Sequence, residues 1–321
     1  KAENNLKDAI KSISYTSEAA LLSRINWWTV EYGLVGDIDN PKIYGAGLLS
    51  SIGESKNCLK DRVKKIPISI DCINYSYDIT EQQPQLFVSK DFKSLVKILD
   101  EISSLMAYQV GGIEGVNKAI QSKSVCTLEL NSNIQISGKV CNSISLENSI
   151  IYIQLEGPTQ LSIKNKEIEN HGIERHKEGF GAPLGKLING LKIDKLNKDK
   201  FIELGYKINN FVKMEFKSGI IIEGVIKTVF EEHNYIKIIT FSNCCVKYKD
   251  KILFDPAWGE YDMICGQKID SVFGGPADMD QYFKLQDSNN KIPNFNNNIS
   301  QSNIDKELNK IYSKIRFMRE Q

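Results

Sequence analysis

The segment Trp27-Trp28-Thr29-Val30-Glu31-Tyr32-Gly33-Leu34 sets a carboxylate inside an aromatic run. On a helix, Trp27, Val30, Glu31 and Leu34 fall at i, i+3, i+4 and i+7 and share one face. A glutamate on an apolar stripe needs a cation, a set of hydrogen-bond donors or a metal, because an unpaired buried charge is costly. A glutamate at the stripe's edge needs none of these, since its carboxylate reaches water. The spacing leaves both readings open. Downstream, a turn rich in Asp, Asn and Pro (Asp37 to Pro41) leads into Lys42-Ile43-Tyr44-Gly45-Ala46-Gly47-Leu48-Leu49-Ser50-Ser51-Ile52-Gly53-Glu54, which carries three glycines and two serines.

Other residues with chemical potential are weaker candidates. His171 and His176 are five apart, which on a helix puts the rings on different faces, and their charged, glycine-containing stretch reads as a loop. His233, within Glu231-Glu232-His233-Asn234, reads as a hairpin tip. All three are expected to be exposed structural histidines rather than a metal site. Gly179-Phe180-Gly181 lacks the strand-to-helix setting and the GK[ST] ending of a phosphate loop, and is expected to be a turn. The cysteines (Cys58, Cys72, Cys126, Cys141, Cys244, Cys245 and Cys265) are odd in number and show no C-x-x-C spacing, so they read as reduced thiols. The vicinal Cys244-Cys245 reads as packing at the tail of a strand.

Together, the Trp27–Leu34 and Lys42–Glu54 segments resemble the pterin-dependent aromatic amino acid hydroxylases, in particular the bacterial phenylalanine 4-monooxygenase type. The resemblance continues through Tyr77-Asp78-Ile79-Thr80 and Gln83-Pro84-Gln85-Leu86-Phe87-Val88 and fades near residue 123. It implies an enzyme that hydroxylates L-phenylalanine to L-tyrosine with dioxygen, using Fe(II) and a tetrahydropterin resembling tetrahydrobiopterin. Residue by residue, it implies that Glu31 is the carboxylate of a two-histidine, one-carboxylate iron site, a ligand set that leaves positions open for dioxygen. It places Trp27 and Tyr32 around the substrate ring and Gly47 and Ser50 beside the amino acid. Ser50 would also support a metal-binding histidine, and Ser23 would form part of the pterin pocket's floor. Asn26 departs from the family, which often has an aromatic residue there near the pterin.

In the family the iron histidines come from a His-Glu-x-x-Gly-His helix roughly forty residues before the glutamate, and one carboxylate cannot hold Fe(II) unaided. Thirty residues precede Glu31 here, none of them histidine, and the chain opens on Lys1. The expectation is a chain truncated at its amino end and inactive as given.

Composition fits a cytoplasmic protein. The 321 residues suffice for two domains with separate cores, and a net charge of +1 advertises neither nucleic acid nor an anionic membrane as partner. There is no membrane-length apolar run and no secretory signal at the start of the chain.

The elements that must position these residues fall into two regimes. Residues 1 to 122 read as mainly helical: a short helix marked by Leu6, Ala9 and Ile10, then one capped by Thr16 or Ser17 and running through Ala19, Leu22, Ile25 and Trp28 toward Gly33. A third starts at Asp91 and carries Phe92, Leu95, Val96, Leu99, Ile102 and Met106, and a last one spans Ile113 to Ile120 beyond Gly111-Gly112. Extended pieces are expected at Ile68 to Ile73 and Leu86 to Val88.

After residue 123 the pattern alternates as strands do, and it recurs 86 positions later. Leu128–Leu130 and Ile134–Val140 answer to Met214–Phe216 and Ile220–Ile226, Gly138 to Gly224, and Ile150–Leu155 to Ile236–Phe241. A Phe-Gly-x-Pro follows in each copy, at Phe180–Pro183 and Phe273–Pro276. The expected fold is α+β and multidomain. A partial hydroxylase domain (1–122) leads into a duplicated small SH3-like β-barrel (123–190 and 191–286), an Asn/Ser-rich linker (287–303) and a terminal helix (304–321). The barrels read as a structural appendage setting oligomeric state or covering the hydroxylase domain, or as a surface for a protein partner. The rival to the enzyme reading is a non-enzymatic scaffold that uses the barrels for interaction.

Overall fold

Ser17 accepts a hydrogen bond from the Ala20 amide at 3.2 Å and so starts a helix at Glu18–Asn26. The computed structural model describes residue 5 and residues 15–289, so the expected helix at Leu6 to Ile10 lies outside the described residues. Beyond Asn26 the backbone widens into a π-turn, Trp27–Glu31, with the Tyr32 amide donating to the Trp27 carbonyl at 2.8 Å. The wider turn rotates the expected Trp27–Val30–Glu31–Leu34 stripe apart. Trp28 becomes the fully buried indole, while Val30 is 55% exposed.

The region to residue 122 holds more strand than expected. β1 (Leu34–Asp37), β2 (Asn40–Ile43), β3 (Lys64–Pro67) and β4 (Gln85–Ser89) form a sheet of order β2-β1-β4-β3. β1 and β2 are antiparallel, and β4 lies parallel to β1 and β3. Strands of four or five residues are too short for alternation to announce them. Ile70–Asn74, expected to be extended, is a 3-10 turn capped by Ser69.

Asp91 caps the helix Phe92–Ser104 through the Ser94 amide at 2.7 Å. Of its apolar residues, Ile98 and Ile102 face the core, whereas Phe92, Val96 and Leu99 stay exposed. Gly111 (φ +50°) then turns the chain between Ala107–Val110 and Gly112–Ser122, and a Cβ there would stand 2.5 Å from the Asp270 carbonyl oxygen.

From residue 123 two sheets follow. The first contains β5 (Val125–Leu130), β6 (Ile134–Leu146), β7 (Ser149–Ile163), β8 (Lys166–Glu167) and β9 (Gly179–Pro183). The second contains β10 (Phe211–Glu215), β11 (Ile220–Glu232), β12 (Tyr235–Tyr248), β13 (Lys251–Phe254) and β14 (Tyr261–Ile264). β5, β6 and β7 start 86 positions before β10, β11 and β12, in keeping with the internal repeat. The antiparallel ladders shift register at both repeat glycines, Gly138 and Gly224.

The Phe-Gly-x-Pro correspondence does not survive. Phe180–Pro183 is β9, paired with β7, whereas Phe273 and Gly274 close β15 (Ile269–Gly274), paired with β5. In position Phe180 corresponds to Tyr261, since Leu155 and Phe241 are their respective partners. The closing strands are exchanged. β15 follows the second copy but lies beside β5 of the first, where Ile269 faces Leu130. Reciprocally, Leu187 follows the first copy and bridges Phe216 beside β10, with Ile188 donating to the Glu215 carbonyl at 2.8 Å.

Two cores result, one around Leu128, Ile136, Leu155 and Val272, the other around Met214, Ile222, Phe241 and Met263. Cys244 faces the second core. Residues 15–279 belong to one compact unit, and a second begins at Asp280 within the helix Met279–Asn289. That helix takes in the first three residues of the expected linker, and the expected terminal helix lies outside the described residues. Among the described residues no helix is long and apolar enough to cross a membrane.

Candidate functional site

The π-turn presents Trp27 at the centre of a stack of three rings. Tyr32 lies on one face, with centroids 4.4 Å apart and planes 18° apart, and Tyr77 lies on the other, at 4.3 Å and 8°. Arg24 and Trp28 hold the segment bearing Tyr77 in place by donating to the Ile73 and Tyr75 carbonyls at 2.8 and 2.9 Å. Ser23 meets the end of the stack, its hydroxyl 2.7 Å from that of Tyr77. The Trp27 Nε1 is buried with no partner among the described residues.

Glu31 closes the π-turn and is half-buried. Its carboxylate lies against the space a side chain would fill at Gly47: a Cβ there would stand 3.2 Å from Glu31 Oε2 and 2.9 Å from Tyr32 Cε2. Glycine is therefore required by close approach. Ser50, exposed, donates to the Gly47 carbonyl at 3.0 Å. Burial, followed by the charges of Glu54 and Glu31, pushes the Tyr32 hydroxyl pKa up, and burial pushes that of Tyr44 to about 12.

The structure thus brings Glu31, Tyr32, Trp27 and Gly47 together, with Ser50 behind Gly47 and Ser23 at the far end of the stack. Asn26 is exposed and makes no capping bond. Sequence reasoning assigned no role to Tyr77 or Glu54, although each lay within a quoted motif.

A second cluster occupies the strand region. His171 and His176 are buried, which corrects the expectation that they are exposed; His233 is exposed at the β11–β12 turn. The loop between β8 and β9 folds back on β7 through Leu161 N–His171 O at 2.9 Å and Thr159 N–His176 O at 3.1 Å, which stacks the rings at 5.7 Å. Asp262 of β14 faces both and is held by Arg175 and Thr240. Burial lowers the His176 pKa to about 4 against the opposing charge of Asp262, and lowers that of His171. Burial alone would raise the Asp262 pKa, but hydrogen bonds from Arg175 and Thr240 outweigh it and hold it below the usual range. Asp262 sits in a strand buried at every position, so no alternation pointed to it.

Residues 9–137 match the family model described as biopterin-dependent aromatic amino acid hydroxylase. This part of the chain is similar to the aromatic amino acid hydroxylases. The chain is 45% identical over 74 residues to a phenylalanine-4-hydroxylase of Dictyostelium discoideum, a match covering 23% of this chain and 17% of that protein. It is 36% identical over 83 residues to a phenylalanine-4-hydroxylase of Vibrio cholerae, covering 25% of this chain and 29% of the other. Among solved structures, an iron- and phenylalanine-bound phenylalanine hydroxylase of Chromobacterium violaceum aligns at 35% identity and a TM-score of 0.24, covering 25% of this chain and 31% of that one. The chain therefore spans about a sixth of the length of the first of these hydroxylases, and the family-model match takes in Trp27, Glu31, Tyr32, Gly47 and Tyr77, which build the stack and the carboxylate.

Proposed function

We propose that the region to residue 122 is the carboxylate-bearing part of an iron- and tetrahydropterin-dependent monooxygenase site that hydroxylates L-phenylalanine to L-tyrosine. The observation that carries this reading is Glu31: half-buried, facing the gap kept open by Gly47, with no ion pair or hydrogen bond among the described residues. A carboxylate so placed suits a metal ligand. Glu31 belongs to no group of three ligating side chains among the described residues, so two further ligands have to come from elsewhere for iron to bind. On its own the chain as given is then inactive.

In this reading the iron and pterin together supply the activation of dioxygen. The chain's own residues hold and shield. Trp27, both of whose faces are taken by Tyr32 and Tyr77, would present its edge to the substrate ring, with Tyr32 beside it. Gly47 leaves room beside the carboxylate, and Ser50 steadies that backbone. Ser23 lies at the pterin side. The exposed Phe92, Val96 and Leu99 face suits cover by further polypeptide. The two copies from residue 123 are read as duplicated SH3-like barrels forming an appendage to this domain.

The test compares this chain with one extended upstream to include a His-Glu-x-x-Gly-His segment. The extended protein is expected to bind one iron and form tyrosine with a tetrahydropterin, and Glu31→Ala to lose both. An extended protein that binds no iron would sink the reading.

A further inference from the structure

The cluster of His171, His176 and Asp262 is not explained by the hydroxylase reading, since it lies beyond the residues that match the family. Its geometry has three properties that an ordinary buried ion pair does not need. First, the ligating atoms of all three side chains lie within 4.8 Å of one another. Second, His171 Nδ1 and His176 Nε2 approach the same oxygen, Asp262 Oδ2, at 3.8 and 3.9 Å, too far for hydrogen bonds. Third, both nitrogens are buried with no partner among the described residues, in residues 9% and 7% exposed. A buried ring nitrogen left unsatisfied costs about 1–3 kcal/mol, and here two are turned toward one carboxylate oxygen.

We infer that these three side chains form a binding site for a single divalent transition-metal ion of the zinc(II) type. Zinc bonds to histidine nitrogen and carboxylate oxygen at roughly 2.0–2.2 Å, so ligand atoms of a four-coordinate ion lie somewhat over 3 Å apart. Closing from 3.8 and 3.9 Å requires small rotations of two rings. The surroundings supply the outer support such sites use. Thr240 Oγ1 and Arg175 Nη2 donate to Asp262 Oδ1 at 2.6 and 3.0 Å, leaving Oδ2 as the ligating oxygen. Backbone bonds to β7 fix both histidines.

One contact competes. Arg175 Nε donates to Oδ2 at 2.6 Å and must release it when the ion enters. Arg175 has an alternative anchor, because its Nη2 also reaches Glu260 at 3.2 Å. Three protein ligands leave one position open. His176 and Asp262 line a cavity of about 580 Å³ that also receives Phe180, Phe254 and Trp258, so the open position is expected to face that cavity and take water or a small anionic group.

The experiment uses the full 321-residue chain, freed of metal with a chelator and titrated with cobalt(II) as a visible stand-in for zinc. One equivalent of cobalt is expected to give a four-coordinate spectrum that zinc(II) erases. His171→Ala and His176→Ala should each weaken binding at least about tenfold, given that losing even outer-shell partners costs 10–100-fold. His233→Ala, at the exposed turn, should leave it unchanged. His171→Gln and His176→Gln, which keep a polar side chain in place but offer no imidazole nitrogen, should weaken binding likewise, which keeps the test decisive if an alanine variant fails to fold. Absence of stoichiometric cobalt binding, or binding indifferent to both histidine substitutions, would each overturn the assignment.

Discussion

Glu31 and Asp262 are acidic side chains in opposite circumstances. Glu31 ends a π-turn among short elements, half-buried, with no partner among the described residues. Asp262 sits mid-strand in a ladder, 3% exposed, with Arg175 and Thr240 bonded to it and two imidazoles close by. The helical region holds its carboxylate by backbone shape, through the π-turn and the missing Cβ of Gly47. The strand region holds its carboxylate by charge and hydrogen bonds. A site held by shape loses little stability when its charge is removed, whereas one held by charge loses a great deal.

The largest test of this contrast is Asp262→Ala. Removing it takes the buried acceptor from both Arg175 and Thr240, leaving Arg175 only Glu260, and is expected to cost about 3 kcal/mol in urea unfolding. A loss below about 1 kcal/mol would erase the distinction.

The pH dependence comes next. His176 stays neutral in the folded chain down to about 4, whereas an unfolded histidine titrates near 6.5. Between these values the unfolded state holds more protons, so stability rises with pH through this window. The contribution is complete above about pH 6.5, is lost as pH falls toward 4, and amounts to roughly 3 kcal/mol. His171 shifts in the same direction and adds to it. Asp262, whose folded pKa is lowered, loses its share only at pH below the ordinary carboxylate range. Urea midpoints at pH 7 and pH 5 in the presence of chelator test this: equal stability would contradict the burial of the two rings.

A smaller effect is expected at Gly47→Ala, where the added methyl meets Tyr32 and Glu31 and should cost about 1–3 kcal/mol. Disturbance of the stack should register in the near-ultraviolet circular dichroism. The smallest is Glu31→Gln, expected to change stability by less than about 0.5 kcal/mol. A cost above 1 kcal/mol would show that a partner outside the described residues holds this carboxylate.

Legibility in the sequence followed the range of the interactions. The repeat could be read at its offset of 86 because each copy buries the same faces of long strands, and Gly138 and Gly224 mark its ladder irregularities. Ser17 and Asp91 were legible as caps because capping is a local bond. The π-turn was not, since a single extra residue in a helical turn leaves no trace in apolar spacing, and the stripe through Trp27 and Val30 was misjudged with it. The burial of His171 and His176 was also hidden. It depends on a loop folding back against β7 and on Asp262, which is more than eighty residues away. Phe-Gly-x-Pro misled for the opposite reason: three shared letters fell on strands with different neighbours.

The exchanged closing strands carry a consequence for how the protein is made. β5 acquires its second neighbour only when β15 has emerged, roughly 140 residues later, which at about 5–20 residues per second is on the order of ten seconds of synthesis. Throughout that interval β5 is an open edge beside β6, able to accept a strand from another nascent chain on the same message. Birth order thus makes the first copy the vulnerable one, for β10 finds Leu187 already in place when it leaves the ribosome.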